Sequence, residues 1–238
     1  MSPTVLRQPK PKSLDLSDVA KASRSFFTQH KLDAVAKAVP TKLKFTKAAE
    51  EIFARAGQIG MEPTLVLPPV KVQHEQLANI ARGMAASPCE AIPAELQYAE
   101  PWIADLEALK AALPRSRPAG AYVLCMAFGA YEEDTANQSA RQIDKLFEED
   151  EVTGLTVPEF MLVQRLRAVE NGDHRFADAT PMGSEQAGWQ WLLDTRSKDG
   201  VAAGYWNAGK RRIEVGWVKA ETKSPRRGAH RTLIIECV

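Results

Sequence analysis

The chain has 238 residues, 45% of them hydrophobic and 26% charged, with 31 Lys and Arg against 30 Asp and Glu. That is the make-up of a globular protein able to bury a core, as one large domain or two small ones, and it excludes a collagen-like or low-complexity chain. Cys89, Cys125 and Cys237 are scattered and form no CxxC or CxxH pair. Neither a disulfide framework nor a cysteine-based zinc site is expected from them, and a reducing, cytoplasmic setting fits best.

The charge is unevenly placed. Residues 1–47 carry ten basic and three acidic side chains, residues 132–173 four and eleven, and residues 196–231 ten and three. Two basic blocks flank an acidic middle, and a local field of this kind bears on what a surface attracts.

In chain order, residues 1–13 hold three prolines and three cations but no apolar run of signal-peptide length, and are expected to form a disordered basic arm. Helical spacing follows over Ser17–Gln29 and Lys31–Ala38, the second stopped by Pro40. Thr46 caps a third helix, with Ala49, Ile52, Phe53 and Ala56 on its inner face. Met61–Val70, closed by two prolines, reads as an edge strand, and Val72–Ala86 as a helix. Pro101 opens a short helix through Ala112, and PRSRPAG then breaks the chain.

The apolar run AYVLCMAF has the length of a buried strand. A helix is expected over Thr135–Glu149. Another follows from Thr156, where Thr156 and Glu159 form a capping box, Pro158 sits in the first turn, and Phe160, Leu162, Val163, Leu166 and Val169 supply the apolar stripe. From Ala187 the period changes. GWQWLLDT, GVAAGYW, KRRIEVGWVKA and HRTLIIEC read as four strands of an antiparallel meander, with a hairpin turn at Asn207-Ala208-Gly209. No run approaches the ~18 apolar residues of a membrane span.

The fold class is therefore α+β: a helical portion over 14–112 and an α+β portion over 119–238, its C-terminal meander packed against helices. The break at Pro114–Gly120 is either a domain boundary or a long turn within one compact unit.

The meander carries the first candidate site. Lys210, Arg211, Arg212, Arg226, Arg227 and Arg231, with Lys219 and Lys223, supply cations, and Trp206 or Tyr205 an aromatic platform. Together these suit the phosphates and bases of single-stranded nucleic acid. The competing account puts the tryptophans in the core and pairs the cations with the acidic helix around Glu148–Glu151. In SPRRGAHR, the Arg226–Arg227 pair with His230 suits an anion. Asp173 and His174, beside Asp178, could act as an acid–base pair, although no nucleophile stands in a recognisable setting. No phosphate loop, dinucleotide fingerprint, calcium loop or paired-histidine spacing occurs, so neither metal nor cofactor is expected.

The sequence leads to a non-enzymatic binding or assembly module whose basic, aromatic C-terminal sheet face meets an acidic partner, either another protein or a second copy. Nucleic-acid binding through the same face, and an enzyme acting on an anionic small molecule, are the alternatives.

Overall fold

The computed structural model describes residues 14–29, 33–67, 102–105, 108–109, 112–114, 117–127, 131–171, 188–198, 200–207, 210 and 212–238. Among these, the helices are α1 (Leu16–Gln29), α2 (Asp33–Ala38), α3 (Lys47–Gln58), α4 (Ala140–Glu149) and α5 (Val157–Asn171). The strands are β1 (Met61–Val66), β2 (Trp102–Ile103), β3 (Leu113–Pro114), β4 (Tyr122–Ala127), β5 (Trp189–Ser197), β6 (Gly200–Asn207), β7 (Arg212–Val218), β8 (Arg227–Gly228) and β9 (Thr232–Glu236). The class is mixed α and β.

Helix ends follow local chemistry. The Thr46 hydroxyl accepts from the Ala49 N–H at 3.2 Å and starts α3. Phe53 and Ala56 of that helix face inward, but Ile52 is 46% exposed, so the buried stripe is narrower than its apolar residues suggest. The helix expected from Thr135 begins only after Ser139, because Ser139 and Gln142 form a capping box of their own. A single 3-10 turn, Glu133–Thr135, precedes it. At α5 the expected capping box is present: Thr156 N–H donates to Glu159 Oε2 at 2.7 Å, and Glu159 N–H to Thr156 Oγ1 at 3.4 Å. Phe160, Leu162, Val163 and Leu166 are buried.

Two sheets share the core. In the smaller, the order is β1-β4-β9, all antiparallel, with β1, which contains Pro63, at an edge. Tyr122–Met126 of the central strand are buried throughout. The larger sheet runs β2-β7-β6-β5-β3, with β8 also pairing β5. Only β5, β6 and β7 form the expected meander. The fourth strand, β9, crosses to the smaller sheet and pairs with β4, since the connection over 219–231 is long enough to leave the hairpin and β4 needs a neighbour on both sides. Trp102–Ile103, expected in a helix, is instead a strand parallel to β7. The expected helix over Val72–Ala86 and the hairpin turn at Ala208-Gly209 lie outside the described residues.

The larger sheet buries both faces. Trp191, Leu193, Val201 and Ala203 pack under Ile143 and Phe147 of α4. The alternate residues Leu192, Ala202, Trp206, Ile213 and Val215 join Phe160 and Leu162 of α5. Gly204 permits the second contact, because a Cβ there would lie 2.9 Å from the Phe160 ring. The α5 core is continuous with the residues that α1, α3 and the smaller sheet bury, among them Phe26, Phe53, Leu65, Val123 and Ile235.

Candidate binding face on the C-terminal sheet

Strand register sets one row of side chains across the larger sheet. Arg227 pairs with Trp189, Tyr205 with Glu214, and Glu214 with Trp102. The register Gln190–Gly204 sets Trp189 opposite Tyr205, and their rings are 4.4 Å apart between centroids. Directly opposed residues share a face. The order Arg227, Trp189, Tyr205, Glu214, Trp102 therefore runs over β8, β5, β6, β7 and β2 on the face that α4 covers further along β5.

At the middle of the row, Glu214 Oε2 accepts from the Tyr205 hydroxyl at 2.7 Å. Its Oε1 accepts from Lys210 Nζ at 3.1 Å and from Arg212 at 3.0 and 3.1 Å. Burial is the largest influence on this carboxyl and raises its pKa, but the bonds from Tyr205, Lys210, Arg212 and Asn207 outweigh it and hold the pKa at about 2. Lys210 and Arg212 are thus fixed by an ionised carboxylate. The Lys210 side chain is nonetheless 59% exposed.

Arg227 differs. Its guanidinium carbon lies 4.6 Å from the centroid of the Trp191 ring, and its buried Nε and Nη1 have no hydrogen-bond acceptor among the described residues. Stacking on the indole fixes the cation without neutralising it, and burial lowers its pKa. The preceding turn is closed by Arg227 N–H on Ser224 O at 3.1 Å and Arg226 N–H on Ser224 Oγ at 3.3 Å. It leaves Arg226, Lys223 and Lys219 exposed.

The remaining candidates are dispersed. Arg231 binds Asp134 at 2.6 Å and Asp150 at 2.8 Å and lies over Phe147, so it is internally paired with the acidic segment. Arg196 binds Asp144 at 2.6 Å. His230 is 1% exposed, and burial pushes its pKa down to about 3, so it is uncharged and away from the surface. Trp206, 3% exposed, points to the α5 core on the opposite face from Tyr205. The aromatic members of the row are Tyr205, Trp189 and Trp102. Arg211, Asp173 and His174 lie outside the described residues.

Trp102 and Trp189 are the members that sequence reasoning missed. Trp189-Gln190-Trp191 carries a period-2 signal that places both indoles on one face, whereas Trp102 was hidden by a helical reading of its segment. Also missed was a buried ionic cluster. Arg117 donates to both Glu159 oxygens at 2.7 and 3.0 Å, to Asp194 Oδ2 at 2.7 Å and to Gly154 O at 2.8 Å. Tyr122 adds a 2.6 Å bond to Glu159. A register break in β5 between Leu192 and Arg196 turns Asp194 towards Arg117 and lets the Thr195 hydroxyl accept from Val157 N–H. With each guanidinium nitrogen bonded, this cluster fastens the α5 N-terminus to β5.

Among the described residues, no group of three or more His, Cys, Asp or Glu side chains could hold a metal ion, and no helix is long and apolar enough to cross a membrane. No family model matches the chain, and comparisons with curated proteins and with solved structures found no similar one.

Proposed function

We propose that the chain is a non-enzymatic binding or assembly module, and that the α4-side face of its larger sheet, at the Lys210–Arg227 end, receives an acidic partner. The observation that carries this reading is the state of Arg227. Lys210, Arg212, Arg196 and Arg231 each meet a carboxylate within 3.1 Å. Arg227 is held in place by Trp191 and meets none among the described residues. The guanidinium is only part-buried, and a cation held without a counter-charge offers its open side to an incoming carboxylate or phosphate. Arg226 and Lys223, exposed beside it, extend the positive field outward.

The test uses sedimentation velocity for self-association, and fluorescence anisotropy of a labelled 15-residue polyglutamate peptide, each at 50 and 500 mM salt. Association through this face weakens at least tenfold at the higher salt and is lost in the Arg226→Glu/Arg227→Gln double variant. Association that is indifferent to salt, or unchanged in that variant, overturns the electrostatic reading.

A further inference from the structure

We infer that the occupant of this face is single-stranded nucleic acid, with bases stacked along the Trp189–Tyr205–Trp102 row and phosphates held by the cations at its Arg227 end and beside Tyr205. The inference rests on the reading above in using the same face, and it names the class of partner.

A carboxylate-bearing partner needs cations, whereas a strand of bases needs cations and also a line of ring faces to stack on. The row supplies both. Its two ends are Arg227, fixed and without an acceptor, and Trp102, which is 44% exposed and among the few large apolar side chains the described residues show to solvent. Between them, Trp189 spreads over Gly216, where a Cβ would stand 3.5 Å from the indole. Tyr205 is steered by its bond to Glu214.

With neighbouring strands about 4.8 Å apart, the row from β8 to β2 extends ~19 Å. That accommodates about three nucleotides of an extended strand. Cations flank the rings on both sides: Arg226 and Lys223 beside Arg227, and Lys210 with Arg212 beside Tyr205. Glu214 lies within the row, but two cations on one carboxylate leave that position positive overall. Aromatic faces accept any base, so the expected binding is strong in salt dependence and weak in sequence preference.

Three fluorescein-labelled probes decide the matter: a 15-nucleotide oligothymidylate, an abasic deoxyribose-phosphate strand of the same length, and the polyglutamate peptide. Each is titrated with the full chain by anisotropy at 50 to 300 mM salt, with tryptophan quenching recorded in parallel. Oligothymidylate is expected to bind at least tenfold more tightly than the abasic strand and to quench tryptophan fluorescence. Trp102→Ala is expected to weaken that binding 5- to 50-fold while leaving the abasic strand unaffected. Arg227→Gln should lower the slope of log affinity against log salt by about 0.7, the contribution of one phosphate contact on a single strand. Trp102 is half-exposed on a two-residue strand, and an unchanged melting temperature of its variant confirms an intact fold. Equal affinity for the thymidylate and abasic strands, or full affinity in Trp102→Ala, overturns the inference. Binding of polyglutamate without oligothymidylate overturns it while sustaining the acidic-partner reading. Binding of no probe, with no salt-sensitive self-association, overturns both.

Discussion

Glu132 holds its carboxylate against the C-terminal chain, accepting the Arg231 backbone N–H at 3.1 and 3.2 Å, with His230 Nδ1 4.0 Å away. Burial dominates and pushes its pKa up to about 7 from the usual 4.5. Asp134 adds to the rise, while the Arg231 N–H and guanidinium and the residue's own backbone oppose it. His230, with a pKa of about 3, stays neutral and offers no compensating charge. The folded chain therefore retains this proton up to about pH 7, whereas the unfolded chain releases it near 4.5, so this residue's contribution to stability declines as pH rises between those values. At 1.36 kcal/mol per unit, the penalty above pH 7 is on the order of 3 kcal/mol at most. Glu132→Gln should accordingly be more stable than the parent protein by urea unfolding at pH 8, with the gain shrinking towards zero near pH 4.5. A variant less stable at pH 8 contradicts this account. At this scale the sequence displayed the opposed charge blocks, but not which cation each carboxylate meets. Arg231 and Arg227 stand four residues apart in one basic segment, and only the turn at Ser224–Arg227 and the entry into β9 send the first to Asp134 and the second onto Trp191.

Elements were most legible where a short motif contains its own hydrogen bonds. Thr156 and Glu159 define the start of α5 in sequence and in structure, because a capping box closes within four residues. The same Glu159 also accepts from Arg117, 42 residues away, and from Tyr122, and no local pattern announces those partners. Burial is the largest influence on Glu159 and raises its pKa, but Arg117, with the bonds from Tyr122 and the Thr156 N–H, outweighs it and keeps the carboxyl below the usual carboxylate range. The two roles predict different costs. Thr156→Ala removes a cap and should cost about 1 kcal/mol. Glu159→Gln strips a charge partner from buried Arg117 and should cost about 3 kcal/mol. Chemical denaturation of both variants at pH 7 checks the ratio, and equal losses would show that Arg117 needs only Asp194. Strand order was less legible than strand position, because pairing is settled by partners remote in sequence. β9 was readable as an apolar alternating run, but its neighbour was not, since β4 and β7 both offered an edge.

At the scale of the whole molecule, the division of the chain near Pro114–Gly120 meets a core that does not divide there. Phe26 and Phe53 from the helical portion, Leu65 of β1, Val123 of β4, Phe160 of α5 and Ile235 of β9 belong to one buried cluster that also reaches Trp206 and Val215 of the larger sheet. β1 is bonded along its length to β4, which follows the break. A core shared in this way couples the unfolding of its parts. The tryptophans permit a direct test, because all five, at 102, 189, 191, 206 and 217, lie on strands of the larger sheet. Phe53 lies on α3, 5% exposed, with its ring 5.3 Å from Phe45. Phe53→Ala removes a core ring and should cost about 3–5 kcal/mol. If the chain unfolds as one unit, the denaturant midpoint seen by tryptophan fluorescence shifts by the full amount and coincides with the midpoint seen by far-ultraviolet circular dichroism, although every tryptophan lies on a strand of the larger sheet and Phe53 on α3. A tryptophan transition that stays in place while the dichroism splits would mean that the larger sheet folds without the N-terminal helices. The binding face would then be separable from the rest of the chain.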